Sequence, residues 1–277
     1  MSDKYLLKCG PWEAECLPRW GMNTVALRYE GRDILRCPEN EDMLHETDIS
    51  PLLYGQPLLL PANRTRDGKF TFEGTEYQLP LNETETMCNQ HGQLFMTPFD
   101  VPEHTETKIV GILKNGGLFY PFPFRITITD ELTEEGYTRT VVLENTGKTS
   151  MPYTVGFHTA FVEPKKLTVP LKSRNTWDEK WFPTGQTDPD IFDNSPIVGN
   201  VSGYYVSGGN RAMLDDIVYT VSENFDHWIL YNGGGGKGFV CVEPQCGAVN
   251  GLNHPGQHRV LQPGEKETFT LSITKEK

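Results

Sequence analysis

The sequence is poor in positive charge and has no long apolar run. Only 25 lysines and arginines stand against 37 aspartates and glutamates, giving a formal net charge of -12. Because lysine and arginine provide the affinity for phosphate backbones and anionic lipid surfaces, this balance argues against a nucleic-acid or membrane partner. Nowhere do about 18 apolar residues follow one another, as a membrane-spanning helix requires. We therefore expect a small-molecule ligand, no nucleic acid and no membrane association.

Cysteine is also scarce, and the N-terminus lacks the features of a secretory leader. The stretch MSDKYLLKCGPWEAEC contains neither a long apolar core nor a small-residue cleavage site. Reduced thiols in a cytoplasmic protein are the default interpretation for so few cysteines in a chain of 277 residues. The six thiols concerned are those of Cys9, Cys16, Cys37, Cys88, Cys241 and Cys246.

Helical periodicity is weak, whereas apolar residues repeatedly alternate with polar ones at the period of a β-strand. Residues 69–79 read KFTFEGTEYQL, which predicts a hairpin that turns at Glu73-Gly74. Residues 24–36, with a turn at Glu30-Gly31, and the segments 124–129 and 138–147 predict further strand pairs. Short helices are predicted only around Glu41–His45 and Asp188–Phe192.

Many short strands separated by turn residues are typical of a sandwich or barrel and not of βαβ units. Residues 170–212, rich in Asp, Asn, Pro and Gly, are expected to form long loops. No linker or internal repeat divides the chain. The prediction is an all-β protein, a large antiparallel β-sandwich that forms one domain over residues 1–277, as a monomer or homodimer.

Two motifs resemble functional sites only superficially. Residues 232–238 read NGGGGKG, but a phosphate loop needs Ser or Thr after the lysine and a helix behind it. The spacing of Cys241, Cys246, His254 and His258 suggests zinc, but Pro255-Gly256 prevents a helix from presenting both histidines. A hairpin loop and no metal site are expected.

Four polar residues sit in unusual surroundings. His158 lies inside the strand-like run MPYTVGFHTAF. It is either a buried core histidine or a group that transfers protons. Glu243 ends the apolar strand FVCVE, either as a solvated turn residue or as a functional carboxylate. His91 precedes a glycine that permits an unusual backbone or close approach of a ligand. Arg64 follows an apolar strand. It is either a hydrogen-bond donor to a ligand or a member of a surface ion pair.

Taken together, these segments resemble the aldose 1-epimerase family, whose members are also called galactose mutarotases. The resemblance is carried by NRTRDGKFTFEGTEYQLPLNE (63–83), HGQLFMTPF (91–99), YTVGFHTAF (153–161), LDD (214–216), VEPQCG (242–247) and LNHP…LQPGE (252–265). These segments extend from about residue 50 to the end of the chain. They occur in the order found in the family, which makes the resemblance specific.

The resemblance implies a large antiparallel β-sandwich with a sugar cleft, and it implies roles for individual residues. His158 is expected to be the general acid at the sugar ring oxygen, and Glu243 the general base at the C1 hydroxyl. His91 is expected to assist at the ring oxygen. Arg64 and Asp215, or the adjacent Asp216, are expected to bind the sugar. No metal, nucleotide or other cofactor is implied.

Several alternatives remain open at the level of sequence. The residues after the two histidines, Gln93-Leu94 and Thr159-Ala160, differ from those of galactose-type members, so the sugar is not specified. A neutral aldose is favoured over a hexose 6-phosphate, for which Arg66, Lys69 and Arg174 would be candidate ligands. A non-catalytic sugar-binding protein, and a lyase or hydrolase on a related sandwich, are the alternatives from other classes.

Overall fold

Short strands account for about half of the chain in the computed structural model, which describes residues 4–188, 192 and 196–276. The strands are β1 (Tyr5–Cys9), β2 (Trp12–Leu17), β3 (Asn23–Tyr29), β4 (Arg32–Asp33), β5 (Leu58–Leu59), β6 (Arg64–Arg66), β7 (Lys69–Phe72), β8 (Thr75–Gln78), β9 (Cys88–Gln90), β10 (Asp100–His104), β11 (Lys108–Asn115), β12 (Phe124–Leu132), β13 (Gly136–Asn145), β14 (Met151–Tyr153), β15 (Val155–Phe157), β16 (Ala160–Val162), β17 (Leu167–Thr168), β18 (Leu171–Trp177), β19 (Pro183–Asp188), β20 (Gly203–Ser207), β21 (Arg211–Leu214), β22 (Ile217–Val221), β23 (His227–Tyr231), β24 (Phe239–Cys246), β25 (Arg259–Leu261) and β26 (Lys266–Lys275). The helices of the described residues are short 3₁₀ turns: Pro18–Trp20, Glu41–His45, Ser50–Leu53, Leu94–Met96 and Gly251–Asn253. None of them is long and apolar enough to span a bilayer.

Two eight-stranded antiparallel sheets form the body of the fold. Sheet I has the order β10-β11-β12-β13-β26-β22-β21-β17. Sheet II has the order β19-β18-β20-β23-β24-β15-β5, with β16 also paired to β24. A four-stranded sheet, β1 to β4, and the strand pairs β14-β25, β6-β9 and β7-β8 complete the described architecture. The predicted all-β antiparallel fold is confirmed.

The two sheets share one apolar core. In sheet I, alternate residues of β12 and β26 point inward, among them Ile126 and Phe269. Sheet II contributes Trp228 and Val242 to the same cluster. The ring of Tyr219 in sheet I meets that of Trp228 in sheet II at 6.1 Å between centroids.

Strand β24 is buried over its whole length, which explains its nearly continuous apolar sequence. Val240 and Val242 face the shared core, so Cys241, Glu243 and Gln245 point to the opposite face of sheet II. The fold therefore places a carboxylate in the middle of a buried strand. The sequence had suggested that Glu243 stands at the strand end, but β24 continues to Cys246.

Most local predictions are confirmed. Phe70 pairs with Tyr77 across a hairpin turn in which both Glu73 and Gly74 have positive φ. The turn at Glu30-Gly31, the pairing of β12 with β13 and the short helix Glu41–His45 also occur as predicted. The six cysteines are free thiols, and the glycine-rich run 233–236 connects β23 to β24 as a hairpin loop.

One prediction was wrong and another falls partly outside the described residues. Residues 170–212 do not form only long loops, because β18, β19 and β20 extend sheet II there. Strand β18 has mostly half-buried side chains on both faces and therefore lacks apolar alternation. For the helix predicted at Asp188–Phe192, Asp188 is the last residue of β19, and 189–191 lie outside the described residues.

A fully buried ion pair joins the first 60 residues to sheet I. The Arg139 guanidinium donates to both carboxylate oxygens of Asp130 at 2.7 Å, and neither side chain is exposed to solvent. It also donates to the backbone carbonyls of Met22 and Gln56. Thr24 donates to the same carboxylate, so both charged side chains of this cluster are hydrogen-bonded to several partners.

We predict that Asp130→Ala destabilises the protein by about 3–5 kcal/mol, because Arg139 would remain buried without its carboxylate. Equilibrium denaturant unfolding measures the change. The matched control is Arg125→Ala on the same strand, whose partly exposed pair with Glu144 is expected to contribute about 1 kcal/mol or less. A loss of less than about 1 kcal/mol in the Asp130 variant would contradict the structural role of the pair.

Candidate active site

His158 follows immediately after β15 and lies on the face opposite the core. Phe157 packs into the core against Phe225, so the next side chain points away from it. The backbone of His158 is fixed because its amide donates to the carbonyl of Pro57 at 2.9 Å. The imidazole is buried, and its Nδ1 has no hydrogen-bond partner among the described residues.

Glu243 meets His158 across neighbouring strands of sheet II. The Nε2 atom of His158 lies 3.2 Å from Oε1 of Glu243, and the carboxyl group is only 2% exposed. The second carboxyl oxygen accepts a hydrogen bond from the side-chain amide of Gln245 at 3.1 Å. Gln245 in turn accepts from the side-chain amide of Asn63 at 3.3 Å. The carboxyl group is therefore held in a defined orientation from the side away from His158.

His91 stands beside this pair in a left-handed backbone conformation. Its ring is nearly perpendicular to that of His158, with centroids 5.3 Å apart. The backbone amide of Asn63 donates to Nδ1 of His91 at 3.2 Å, which leaves the ring proton on Nε2 when the imidazole is neutral. Gly92 also has positive φ, and a Cβ there would lie 2.0 Å from the Leu60 carbonyl oxygen. The close approach suggested by the His-Gly sequence is thus explained by local packing.

Arg64 forms the next part of the wall. Two of its nitrogens donate to the two carboxylate oxygens of Glu83 at 2.9 and 2.6 Å, and NH1 donates to the Tyr204 hydroxyl at 2.9 Å. Thr86 and Cys88 also donate to the Glu83 carboxylate. Arg64 is therefore held in a rigid bidentate pair whose charge Glu83 neutralises.

These groups converge on a cavity of about 410 Å³ on the face of sheet II opposite the core. His91, His158, Glu243 and Arg64 line it together, so four of the five predicted site residues are brought to one place. The remaining lining residues are Ile49, Leu52, Leu53, Asn63, Glu83, Glu85, Gln90, Trp177, Trp181, Ser202, Gly203, Tyr204, Ile229, Leu230 and Tyr231. The cavity has the size of a small-molecule site.

The fifth predicted residue, Asp215, does not line the cavity, which corrects the prediction. It lies in the exposed turn between β21 and β22 of sheet I, with φ 53°, where its carboxylate accepts from the backbone amides of Lys165 and Lys166. The adjacent Asp216 forms an ion pair with Arg32 at 2.8 Å. A short acidic turn resembles a sugar-binding motif in sequence, but here the carboxylate oxygens of Asp215 accept hydrogen bonds from backbone amides. We therefore exclude both aspartates from the candidate site.

Burial shifts the protonation equilibria of the central pair in opposite directions. It raises the pKa of Glu243 to about 8, although the hydrogen bond from Gln245 and the charge of Arg64 oppose the increase. It lowers the pKa of His158 to about 4, against the effect of the backbone carbonyls of His158 and Leu52. Burial, together with the charges of His158 and Arg64, also lowers the pKa of His91 well below the ordinary value. Near neutral pH, the His158–Glu243 pair therefore holds a single proton.

Glu83 behaves differently although it lines the same cavity. Burial would raise its pKa, but the hydrogen bonds from Arg64, Cys88 and Thr86 outweigh burial and hold the pKa at about 2. This carboxylate is ionised at every pH at which the protein would work. It supports Arg64 and is not suited to exchange a proton.

A third potential metal ligand lies near the central pair. Ligand atoms of His158, Cys241 and Glu243 lie within 4.8 Å of one another, and all three side chains are buried. Burial raises the pKa of the Cys241 thiol well above its usual value, which disfavours the thiolate that binds metals. The pattern considered in the sequence was different, since His254 instead contacts Asn250 and His258 bonds to the Gly251 carbonyl.

Several residues of the site were not predicted from the sequence. Gln245 could have been found, since it stands two residues after Glu243 and strand alternation places it on the same face. Glu83 lies in the polar stretch LNETET, but nothing there indicates its pairing with Arg64. Trp177, Trp181 and Tyr204 belong to the segment that was expected to form loops.

The described architecture is that of a large antiparallel β-sandwich protein with a polar cavity on one face of sheet II. A sequence model of the Aldose 1-epimerase family matches residues 17–274. The chain therefore belongs to the aldose 1-epimerase family.

Solved structures show the same fold at low sequence identity. A galactose mutarotase-like protein from Clostridium acetobutylicum superimposes with a TM-score of 0.88 at 22% identity, covering 98% of this chain and 94% of that one. A galactose 1-epimerase from Lactobacillus acidophilus NCFM gives a TM-score of 0.75 at 17% identity, covering 96% of this chain and 91% of that one.

Two proteins of Escherichia coli K12 are similar in sequence. The protein named Uncharacterized protein YphB is 22% identical in an alignment 241 positions long that covers 78% of this chain and 82% of that protein. The protein named Uncharacterized protein YihR is 29% identical over 117 residues, which make up 41% of this chain and 38% of that protein.

We predict that Glu243→Gln stabilises the protein more at pH 8 than at pH 5. The native carboxyl group keeps its proton from about pH 4.5 to 8, where the unfolded chain has lost it, so wild-type stability falls as pH rises through this range. The Glu243→Gln variant does not lose this stability. At pH 8 its free energy of unfolding should therefore gain at least about 1 kcal/mol relative to wild type, since one pKa unit corresponds to about 1.4 kcal/mol. Denaturant unfolding at both pH values measures the difference.

The control is Glu131→Gln, which makes the same side-chain change at an exposed position of β12. A Glu243→Gln variant whose stability relative to wild type is the same at pH 5 and pH 8 would contradict the raised pKa.

Proposed function

We propose that this protein is an aldose 1-epimerase that interconverts the α and β anomers of a free aldose. The single observation that carries the proposal is the 3.2 Å separation between Nε2 of His158 and Oε1 of Glu243 inside a buried cavity. The ring oxygen and the C1 hydroxyl of a hemiacetal are bonded to the same carbon. An acid and a base that serve these two oxygens must therefore lie close together.

The reaction requires only proton transfers. Glu243 accepts the proton of the C1 hydroxyl while His158 gives a proton to the ring oxygen, so that the C1–ring oxygen bond breaks and an open-chain aldehyde forms. Rotation about the C1–C2 bond exposes the other face of the carbonyl. Closure reverses both proton transfers and restores the original state of the pair. Positioned acid and base groups of this kind each contribute roughly 10²- to 10⁴-fold in rate.

The protonation of the pair suits this cycle. Between about pH 4 and pH 8, the two groups hold one proton between them, and the reactive form has that proton on His158 with Glu243 ionised. The other form differs only in the position of the proton along a 3.2 Å contact. Hydroxyl groups of a bound sugar would stabilise the ionised form, because they replace the hydrogen bonds that burial has removed.

His91 and Arg64 have supporting roles in this proposal. His91 is neutral with its proton on Nε2, because Nδ1 accepts from the Asn63 amide, so Nε2 can donate to a sugar oxygen. Arg64 is held in place by Glu83 and Tyr204, and its remaining N–H groups donate to sugar hydroxyls. None of the steps in this cycle uses a metal ion or a nucleotide, so we propose that no cofactor is required.

The alternatives from other classes receive less support. A sugar-binding protein without activity has no need of a buried carboxyl group whose pKa is raised beside a histidine. A glycoside hydrolase of the usual type needs two carboxyl groups, one of them protonated, on either side of the scissile bond. Glu83, the half-buried second carboxylate in this cavity, has both oxygens occupied by donors from Arg64, Thr86 and Cys88, so it is not free to act as a base or nucleophile.

We predict that Glu243→Gln lowers kcat by roughly 10²-fold or more with a small change in KM, because the amide keeps the shape but cannot accept a proton. His158→Asn is expected to act similarly. Anomer exchange is measured by polarimetry and NMR on a panel of aldoses, and Lys114→Gln, on an exposed position of β11, is the control. A variant that retains more than half of the parent kcat would disprove its assigned role.

We also predict a preference for a neutral aldose over the corresponding 6-phosphate. Arg64 is already paired, Arg66 is paired with Asp178, and Lys69 is paired with Glu76 outside the cavity. Arg174 stands in β18 and not in a loop, and it donates to Asp188. A phosphate dianion would meet Glu83 and Glu85 in the lining. Comparison of kcat/KM for glucose or galactose and the 6-phosphates tests this, and a tenfold preference for a phosphate would overturn it.

A further inference from the structure

The cavity has an aromatic end that the proposed reaction does not use. The rings of Trp177 and Trp181 are stacked with centroids 5.6 Å apart and an interplanar angle of 28°. Trp177 also contacts the ring of Tyr204 at 5.4 Å. All three side chains line the cavity, and Trp181 is 43% exposed. A large exposed aromatic surface beside a small-molecule site commonly marks a binding surface.

Strand register places this aromatic pair far from the acid–base pair. Glu243 is paired with Ile229, Ile229 with Tyr204, and Tyr204 with Asn175, which form one row across four strands of sheet II. At about 4.8 Å between neighbouring strands, the row spans about 14 Å. Trp177 follows Asn175 by two residues on the outermost strand of this row. The proton-transfer groups and the tryptophans therefore occupy opposite ends of the cavity.

The hairpin that carries Trp181 is held in place. The Asp178 side chain accepts from the amides of Lys180 and Phe182, and the Trp181 amide donates to the Asp178 carbonyl. Arg66 donates to the same carboxylate and stacks on the ring of Phe182 at 4.0 Å. Trp181 itself has φ 66°, which is strained for a bulky residue. Backbone strain of this kind is concentrated at active sites and ligand-binding sites, where a side chain is held in position for a ligand.

We propose that Trp177 and Trp181 form a second sugar subsite, and that the aldoses served best are reducing disaccharides. This proposal rests on the proposed function. The reducing unit lies at His158 and Glu243, and the next unit stacks one apolar C–H face on the tryptophans. The electron-rich face of an indole attracts the slightly positive C–H groups of a pyranose, while the ring hydroxyls stay at the edges. The separation across four strands provides room for two linked rings.

The first test compares kcat/KM for a panel of reducing disaccharides, including maltose, cellobiose and lactose, with that for glucose, by NMR exchange. We expect at least one disaccharide to exceed glucose by about tenfold, equivalent to about 1.4 kcal/mol. Trp181→Ala is expected to reduce that ratio to near one, and Trp181→Phe to keep most of it. The matched control is Leu118→Ala, which removes an apolar side chain that is 81% exposed outside the cavity.

Two outcomes would overturn the subsite: a ratio of one or less across the panel, or a Trp181→Ala variant that loses activity equally on glucose and disaccharides. The panel also contains 6-O-acyl glucose, and a preference for it over every disaccharide is a third contradicting outcome, since the aromatic end would then serve an acyl chain.

The second test separates the subsite from the proposed activity. Methyl glycosides of the same disaccharides cannot epimerise, so their binding is followed through tryptophan fluorescence without any reaction. Of the five tryptophans, Trp12, Trp20 and Trp228 are buried, so the signal should come from the aromatic pair. Because Trp181→Ala also removes one of the two reporting tryptophans, its binding is measured by isothermal titration calorimetry, and binding that is lost in this variant supports the subsite even if no aldose is epimerised. Epimerisation of glucose with no such binding rejects the subsite and leaves the proposed function intact.

Discussion

The buried ion pair between Arg139 and Asp130 is the interaction on which the position of the candidate site depends. Arg139 donates to the carbonyl of Gln56, and Asn23 accepts from the Gln56 amide. The residue that follows, Pro57, accepts the backbone amide of His158. A charge in the core of sheet I thus fixes the segment that orients the histidine on sheet II. An apolar pair could fill the same volume, but it would not satisfy the carbonyl groups at this junction.

Burial has opposite consequences in the core and in the cavity. In the core, Asp130 and Arg139 bond to each other, and Thr24 and the carbonyls of Met22 and Gln56 complete their hydrogen bonding, so both buried charges are compensated. In the cavity, Glu243 has one donor from Gln245 and faces a histidine whose pKa is lowered. The cavity pair is therefore incompletely satisfied in the free protein. Groups that are held in an unfavourable state until a ligand arrives are typical of functional sites, where stability is sacrificed for activity.

Sequence reasoning gave the fold class and much of the site for definite physical reasons. Strand alternation and turn residues are local signals, so the hairpin at Glu73-Gly74 and the pairing of β12 with β13 could be predicted. His158 and Glu243 stood out because polar residues in apolar strands are rare. The depth of Glu243 in β24 was not predictable, since proline at 244 suggested a strand end, whereas the strand continues beyond it.

What sequence reasoning missed depends on contacts between distant segments. Arg64 and Glu83 are 19 residues apart, and only the fold shows that they form a bidentate pair. Strand β18 was interpreted as loop because polar residues occupy both of its faces. Asp215 was assigned by a three-residue motif, and so short a match does not determine which sheet carries the residue. Each error concerns a position where tertiary contacts, and not local pattern, decide the structure.

Charge balance is what makes the cavity suited to a neutral ligand. Arg64 and Glu83 cancel each other, and burial keeps His91 uncharged. The His158–Glu243 pair holds one proton near neutral pH, so it is neutral overall whichever group carries that proton. An anionic sugar would meet no unpaired positive charge among the described lining residues, where the remaining charged group is the carboxylate of Glu85, and it would lose the solvation of its own charge. A neutral sugar meets donors and acceptors that are already oriented, and the aromatic end of the cleft adds apolar surface that carries no charge at all.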